Sequence, residues 1–170
     1  MGQIDNAIRF TIGECTLGTV LVAMSDKGVL AISLGDDPET LAGELRDQCS
    51  DADPVADDAG LKPILAKVVA FVENPARGLE LPLDVSGTPF QQRVWQALRE
   101  IPAGSRASYG EIAERIGAPR EAYAVGEACA ANMIAVAIPC HRIVRKDGAL
   151  GDYRWGFKRK RALLAREARA

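Results

Sequence analysis

The chain reads as an α/β N-terminal unit, a small, mainly antiparallel sheet with helices, followed by a mainly α helix-turn-helix domain. Three observations predict this. Runs rich in β-branched residues crowd the first 35 positions. After residue 87, two Ser/Thr-x-x-Gln/Glu capping boxes open segments with one apolar stripe each. Charge divides along the same line: residues 1–86 carry 15 Asp/Glu against 6 Lys/Arg, a net of −9, whereas residues 87–170 carry 8 against 15, a net of +7. The expected organisation is a small α/β unit over 1–80, a linker at 81–87 and the helix-turn-helix domain over 88–170.

In the first unit, Ile8–Ile12, Thr19–Ala23 and Gly28–Leu34 alternate or run apolar and predict three strands, the first two a hairpin around Gly18. Gly35-Asp36-Asp37-Pro38 then stops the sheet. Leu41 and Leu45 predict a helix over Glu39–Cys49, and Leu61, Leu65 and Val68 another over Leu61–Val72, with the acidic, turn-rich Ser50–Gly60 between them. Pro75–Pro89 reads as connection, with one short strand at Leu81–Val85.

In the second unit, Thr88-Pro89-Phe90-Gln91 is a capping box with proline at the first helical position, and Phe90, Val94, Leu98 and Ile101 form the stripe behind it. Ser108-Tyr109-Gly110-Glu111 opens a second helix that stops at Gly117-Ala118-Pro119. A third follows over about Arg120–Ala131. Two short helices joined by a glycine-containing turn make a helix-turn-helix, whose second helix enters a DNA groove in proteins built for that purpose. At 100° per residue, Val125, Ala128, Cys129 and Asn132 face the protein, and Tyr123, Gly126, Glu127 and Ala130 face outward. A last helix follows Trp155-Gly156. Its basic stretch Lys158-Arg159-Lys160-Arg161, with Arg142, Arg145, Lys146 and Arg154, suggests a surface for a polyanion.

Composition narrows the function classes. With 48% hydrophobic residues the chain can bury a core. No window holds the roughly 18 uninterrupted apolar residues of a membrane span, and the first ten residues lack a basic-then-apolar leader pattern. The expected location is the cytoplasm. Cysteines at 15, 49, 129 and 140 with a single histidine offer no metal-ligand spacing, so no metal site is expected.

That single histidine stands directly after a cysteine, in Ile138-Pro139-Cys140-His141-Arg142. A cysteine attacks as its thiolate, and a nearby imidazole is a common means of taking the thiol proton near neutral pH. The alternative is that Cys140 is a small buried hydrophobe and His141 an ordinary turn residue. Two polar residues on apolar faces add weight to the reactive reading. Asn132, eight residues before Cys140, needs a hydrogen-bonding reason, such as holding the cysteine loop. Glu167, one turn beyond Leu163 and Leu164 on their face, needs a partner, and His141 is a candidate.

These residues carry a family resemblance. Phe90-Gln91-Gln92-Arg93-Val94-Trp95, Ile101-Pro102-Ala103-Gly104, Ser108–Ala113, Ala130-Ala131-Asn132, Pro139-Cys140-His141-Arg142-Ile143-Val144 and Tyr153-Arg154-Trp155-Gly156 together resemble the active-site domain of O6-alkylguanine-DNA alkyltransferases, especially the C-terminal half of the Ada-type bacterial proteins. Ile8-Arg9-Phe10 and Leu34–Pro38 extend the resemblance over nearly the whole chain. The zinc-binding regulatory half of Ada has no counterpart in these 170 residues.

The resemblance implies a suicide repair protein, acting as a monomer without cofactor on double-stranded DNA that contains O6-alkylguanine, and leaves activity on O4-methylthymine open. It implies Cys140 as alkyl acceptor, His141 as its base through a water, Glu167 orienting the imidazole, Asn132 holding the loop and Tyr109 donating a proton to the departing guanine. It implies a substrate pocket of Ile143, Arg154, Trp155, Cys129 and Gly151, with backbone of Cys140, Ile143 and Arg154 reading the base edge. Trp155 is expected to narrow the space around the alkyl group. DNA contacts fall to Ala122, Tyr123, Ala124, Gly126 and Ala130, with Arg120 and Arg142. The lesion must be flipped out of the duplex to react.

One position departs from the family. Where its members carry an arginine that fills the gap left by the flipped base, this chain has Tyr123, with the acidic Glu127 one turn on. Two other classes stay open on sequence grounds. The helix-turn-helix and basic half allow a DNA-binding regulator without transfer chemistry, and Cys-His-Glu alone allows a cysteine hydrolase.

Overall fold

The computed structural model describes residues 7–49 and 52–169; residues 1–6 of the expected first unit, Ser50 and Asp51 of the acidic turn, and Ala170 lie outside the described residues. β1 (Arg9–Cys15), β2 (Gly18–Ser25) and β3 (Gly28–Gly35) pair antiparallel, and β4 (Val55–Ala56) joins β1 in parallel, giving the order β3-β2-β1-β4. The sheet is therefore small and mixed. β4 lies inside the stretch that reads as an acidic turn. Its two residues exist as a strand only because the Val55 and Asp57 amides find the carbonyls of Ile8 and Phe10, each at 2.9 Å, and no local pattern announces that pairing.

Alternation along β2 sends Leu21 and Ala23 to one face and Val20 and Val22 to the other. α1 (Pro38–Gln48), N-capped by Asp37, covers the first face with Leu41 and Leu45. α2 (Asp58–Glu73), N-capped by Asp57, starts before its apolar periodicity does and covers the second face with Val68, Phe71 and Val72. That second face is continuous with the rest of the chain: one core runs from Val20, Val22 and Ile32 into Val94, Trp95 and Leu98 of α3 (Pro89–Arg99).

The connection between them lies along β3. The expected strand at Leu81–Val85 reduces to a single bridge, Leu83 beside Val29, in which the Val29 amide donates to Pro82 O and the Asp84 amide to Val29 O, both at 2.8 Å. Gly28 is required here, because at φ +148° a Cβ would stand 2.6 Å from Pro82 O.

Both capping boxes form. Thr88 and Gln91 exchange backbone bonds at the start of α3, and Ser108 and Glu111 do so at the start of α4 (Tyr109–Arg115), which follows the short strand β5 (Ala107–Ser108). α5 (Ala122–Ala130) begins two residues later than its pattern suggests. After Gly117, at φ +77°, the chain makes a turn in which the Glu121 amide bonds Ala118 O, so Arg120 stands outside the helix. The Trp95 indole N–H donates to Ala128 O at 2.9 Å and locks α5 to α3. β6 (Ile143–Val144) pairs in parallel with β5, and α6 (Phe157–Arg169) closes the fold.

α6 overturns one expectation. Of its basic stretch only Lys158 and Arg161 are exposed. Arg159 donates to Leu17 O at 2.8 Å and to Asp36 at 2.6 Å, and Arg166 donates to Val72 O at 2.9 Å. Lys160 is entirely buried. Two of the four cations in Lys158–Arg161 are thus spent inside the fold, Arg159 tying the helix to the turns that flank the sheet and Lys160 enclosed beneath it. No helix among the described residues is long and apolar enough to cross a membrane.

Candidate active site

The edge of β3 sets the position of the cysteine. Ile32 donates to Met133 O at 3.0 Å and accepts from the Ala135 amide at 2.9 Å, so the segment after α5 is docked on the sheet as a further rung. From there the chain runs buried through Val136 to Pro139-Cys140. Val136 sits at φ 62°, a conformation that a β-branched residue rarely adopts and that the surrounding bonds must hold.

Asn132 supplies those bonds. Its Oδ1 accepts from the Ile134 amide at 2.9 Å, while its Nδ2 donates to Ile138 O at 3.0 Å and to Cys140 Sγ at 3.3 Å. One side chain therefore ties both ends of the loop and touches the thiol. Cys140 through Arg142 form a single 3-10 turn, and the Ile143 amide closes it on Cys140 O.

Behind the cysteine lies a charged cluster sealed from solvent. His141 Nε2 stands 2.7 Å from Glu167 Oε2, both side chains fully buried. With Nε2–H donating to the carboxylate, Nδ1 is left as a buried acceptor without a partner among the described residues. Glu167 is also gripped by Arg142, whose Nε lies 3.0 Å from Oε1 and whose Nη2 lies 2.8 Å from Oε2; the Arg142 Nη1 donates to Ile101 O at 2.6 Å. Arg142 was expected on the DNA surface. It is buried, and its guanidinium is committed inside the protein, because Glu167 would otherwise be an under-paired internal charge.

The electrostatics follow from burial and these partners. Burial pushes the Cys140 thiol up to about 11, against the pull of the Asn132 amide, Lys160 and Arg154. Burial lowers His141 below its ordinary range, although the Glu167 carboxylate opposes this. Burial would raise Glu167, but hydrogen bonds from His141 and Arg142 outweigh it and hold the carboxyl at about 2. At rest the site is a neutral thiol beside a neutral imidazole that is paired to a carboxylate.

Cys140 opens onto a cavity of 690 Å³ whose walls include Tyr109, Tyr123, Gly126, Cys129, Ala130, Tyr153 and Arg154. Burial raises the Tyr109 phenol, so it stands protonated as a donor. Gly151 lies against it: a Cβ there would be 3.4 Å from Tyr109 Oη, and φ is +76°. Arg154 donates from Nη1 to Asn132 O at 3.0 Å. Ala122 lies on the same rim, Ala124 is half-buried off it, and Arg120 is exposed in the turn before α5. Ile143 is fully buried.

Trp155 is not in this cavity. It is buried edge-on against Tyr153, ring centroids 5.3 Å apart, and lines a separate hollow with Leu34, Asp37 and Leu41. The chain turns at Arg154-Trp155, so Tyr153 stays on the cavity wall while the indole is carried over to the neighbouring hollow.

Several residues of the site carry no site role on sequence grounds, Ser108, Gly110, Asp152, Tyr153 and Lys160 among them. Tyr153 lines the cavity beside Cys140; it stands in the Tyr153-Arg154-Trp155-Gly156 motif, whose sequence reading gave the pocket to Arg154 and Trp155. Lys160 donates its ammonium to Leu150 O and, at 3.1 Å, to Asp152 O, pinning the loop around Gly151. Its signal was present: Lys160, Leu163, Leu164 and Glu167 are spaced as one helix face. The run of neighbouring charges masked it.

Comparison with known proteins gives the family. The family model described as 6-O-methylguanine DNA methyltransferase, DNA binding domain, matches residues 89–169. The chain is 49% identical over 167 residues to the bifunctional transcriptional activator/DNA repair enzyme Ada of Escherichia coli, covering 98% of this chain and 47% of Ada. It is 41% identical over 116 residues to the inducible methylated-DNA--protein-cysteine methyltransferase of Bacillus subtilis, covering 68% of this chain and 65% of that protein. It thus spans about half to two thirds of the length of these relatives. Among solved structures, Mycobacterium tuberculosis OGT in complex with DNA superposes with a TM-score of 0.78 at 32% identity, over 95% of this chain and 93% of that one. By that match over nearly the whole of both chains, and by the family model, the chain belongs to the O6-methylguanine-DNA methyltransferase family.

Proposed function

We propose that this chain repairs double-stranded DNA in the cytoplasm by moving the alkyl group of O6-alkylguanine irreversibly onto Cys140. The observation that carries the reading is the Cys140 thiol in the cavity wall, backed by the sealed His141–Glu167 pair at 2.7 Å. His141, whose Nδ1 is the free acceptor, takes the thiol proton through a bridging water, and Glu167 stabilises the imidazolium that results. The sulfur attacks the alkyl carbon, the O6–carbon bond breaks with its electron pair going to the guanine, and Tyr109 protonates that base. Tyr109 recovers its proton from the imidazolium side, so the net change is a thiol proton exchanged for an alkyl group. The product is a thioether with no acyl carbon for water to attack, hence a single turnover.

Asn132 is the positioning residue of the loop. Cys129, Gly151 and the backbone of Cys140, Ile143 and Arg154 meet the flipped base, and Ala122, Tyr123, Ala124, Gly126 and Ala130, with Arg120, meet the DNA. The chain acts as a monomer of two units, 1–80 and 88–170, joined by 81–87 and sharing the core that docks the cysteine loop on β3.

Mass spectrometry after incubation with O6-methylguanine DNA tests this. One methyl group retained on the Cys140 peptide, and none after Cys140→Ala, is the expected result. DNA binding without any mass change would leave a regulator, and turnover of an ester or amide a cysteine hydrolase.

A further inference from the structure

The mouth of the Cys140 cavity is asymmetric in charge. Its α5 side presents Tyr123, Gly126, Glu127 and Ala130, with no cation and one carboxylate, while the rest of the wall carries three cations, Arg145, Lys146 and Arg154, against the single carboxylate of Asp152. Tyr123 is 83% exposed. Phe157, the other exposed aromatic ring, lies under the Arg161 guanidinium at 5.2 Å, but no ring or guanidinium among the described residues covers Tyr123.

We propose that Tyr123 is a stacking platform for a nucleobase, and that it makes an alkylated guanine already unpaired, in a single strand or a loop, a better substrate than one in a matched duplex; this rests on the transfer reading above. A helix seated in a duplex groove has phosphates on both flanks and meets them with Arg, Lys or polar side chains. The exposed face of α5 offers no cation and, apart from the Tyr123 hydroxyl, no side-chain donor, and Glu127 repels the phosphates there. The Arg145 and Lys146 side can instead follow one strand. A cationic track beside an exposed aromatic ring is the arrangement that holds single-stranded nucleic acid, and the ring accepts any base because every base has a π-face.

The energetics point the same way. A paired lesion must be unstacked and extruded before it reaches Cys140, and an unpaired one is spared most of that work. A neutral ring can fill a vacated stack, but it adds no phosphate contact to offset the extrusion.

The test times transfer from O6-methylguanine placed in a single strand, in a looped-out position and in a matched duplex, for the unmodified protein, Tyr123→Phe, Tyr123→Ala and Tyr123→Arg. Fluorescence anisotropy reads the affinity of lesion-free strands and duplexes for the same proteins over a range of salt. Transfer should be about tenfold faster from the single strand and the loop than from the matched duplex. Tyr123→Ala should weaken single-strand affinity about tenfold, as loss of one base stack does, and Tyr123→Phe should retain it. Tyr123→Arg should move the preference toward duplex and steepen its salt slope by about one. A matched duplex repaired as fast as the single strand overturns the proposal, as does single-strand affinity untouched by Tyr123→Ala. If no substrate methylates Cys140, the transfer reading falls, and the anisotropy arms still decide the stacking role.

Discussion

Arg142 and Glu167 face each other inside the protein, Nη2 2.8 Å from Oε2, on the same carboxylate that holds His141. Glu167 therefore serves two partners of different kinds. Arg142 keeps the carboxylate ionised whatever the state of the imidazole, and its positive charge disfavours a proton on His141. Burial, the larger cause, and this charge together keep the histidine a neutral acceptor until the thiol proton arrives.

Removing one partner of a buried ion pair leaves the other uncompensated. Arg142→Met should lower the stability to urea by about 3 kcal/mol. The double variant Arg142→Met/Glu167→Gln should recover part of that loss, because the orphaned charge is gone. Additive losses in the double variant would mean that the two side chains do not depend on each other.

Acid should destabilise the protein in two stages. His141 has its proton affinity lowered by burial, so below its ordinary value of 6.5 the unfolded chain binds a proton that the folded one resists; stability present above 6.5 falls as pH drops below it. Glu167 is held at about 2 against an ordinary 4.5, so its contribution is full above 4.5 and is lost as pH falls toward about 2. Melting curves from pH 8 downward should show both stages, and His141→Gln should remove the upper one.

Glu167→Gln should slow methyl transfer at pH 7 by about 100-fold, as the imidazole loses the carboxylate that stabilises its charged form. The deficit should narrow as pH climbs toward about 11, where the Cys140 thiol ionises without help. A deficit of constant size at every pH would assign Glu167 a purely structural part.

Lys160 brings a buried positive charge toward Cys140 as well as anchoring the Leu150–Asp152 loop. In Lys160→Met the thiol should ionise at higher pH, and alkylation by iodoacetamide at pH 8 should fall about tenfold for each unit of that rise. If transfer drops while the thiol titration stays in place, the lysine acts through the loop alone.

Trp155→Ala should act on stability and not on alkyl size. The indole fills core space against Tyr153, so its removal should cost about 3–5 kcal/mol. The ratio of methyl to benzyl transfer should stay near that of the unmodified protein. A selective gain on benzyl would return Trp155 to the cavity wall that Tyr153 occupies.

What could be read from the sequence was local. Thr88 with Gln91 and Ser108 with Glu111 mark helix starts because each box closes within four residues. The alternation of β2 and the stripe of α3 name their buried faces for the same reason. The juxtaposition of Cys140 and His141 is covalent, and Asn132 and Glu167 stood out as polar residues on apolar faces. Only the tertiary structure could decide the rest. Whether a cation is solvated or enclosed depends on what packs above it, which separates Lys158 from Lys160 and Arg145 from Arg142 although each pair reads alike in sequence. The rung between Ile32 and the Met133–Ala135 segment joins residues about a hundred positions apart and sets where the cysteine loop lies. Such contacts form only after the sheet edge exists, and hydrogen bonds between backbones leave no mark on side-chain identity.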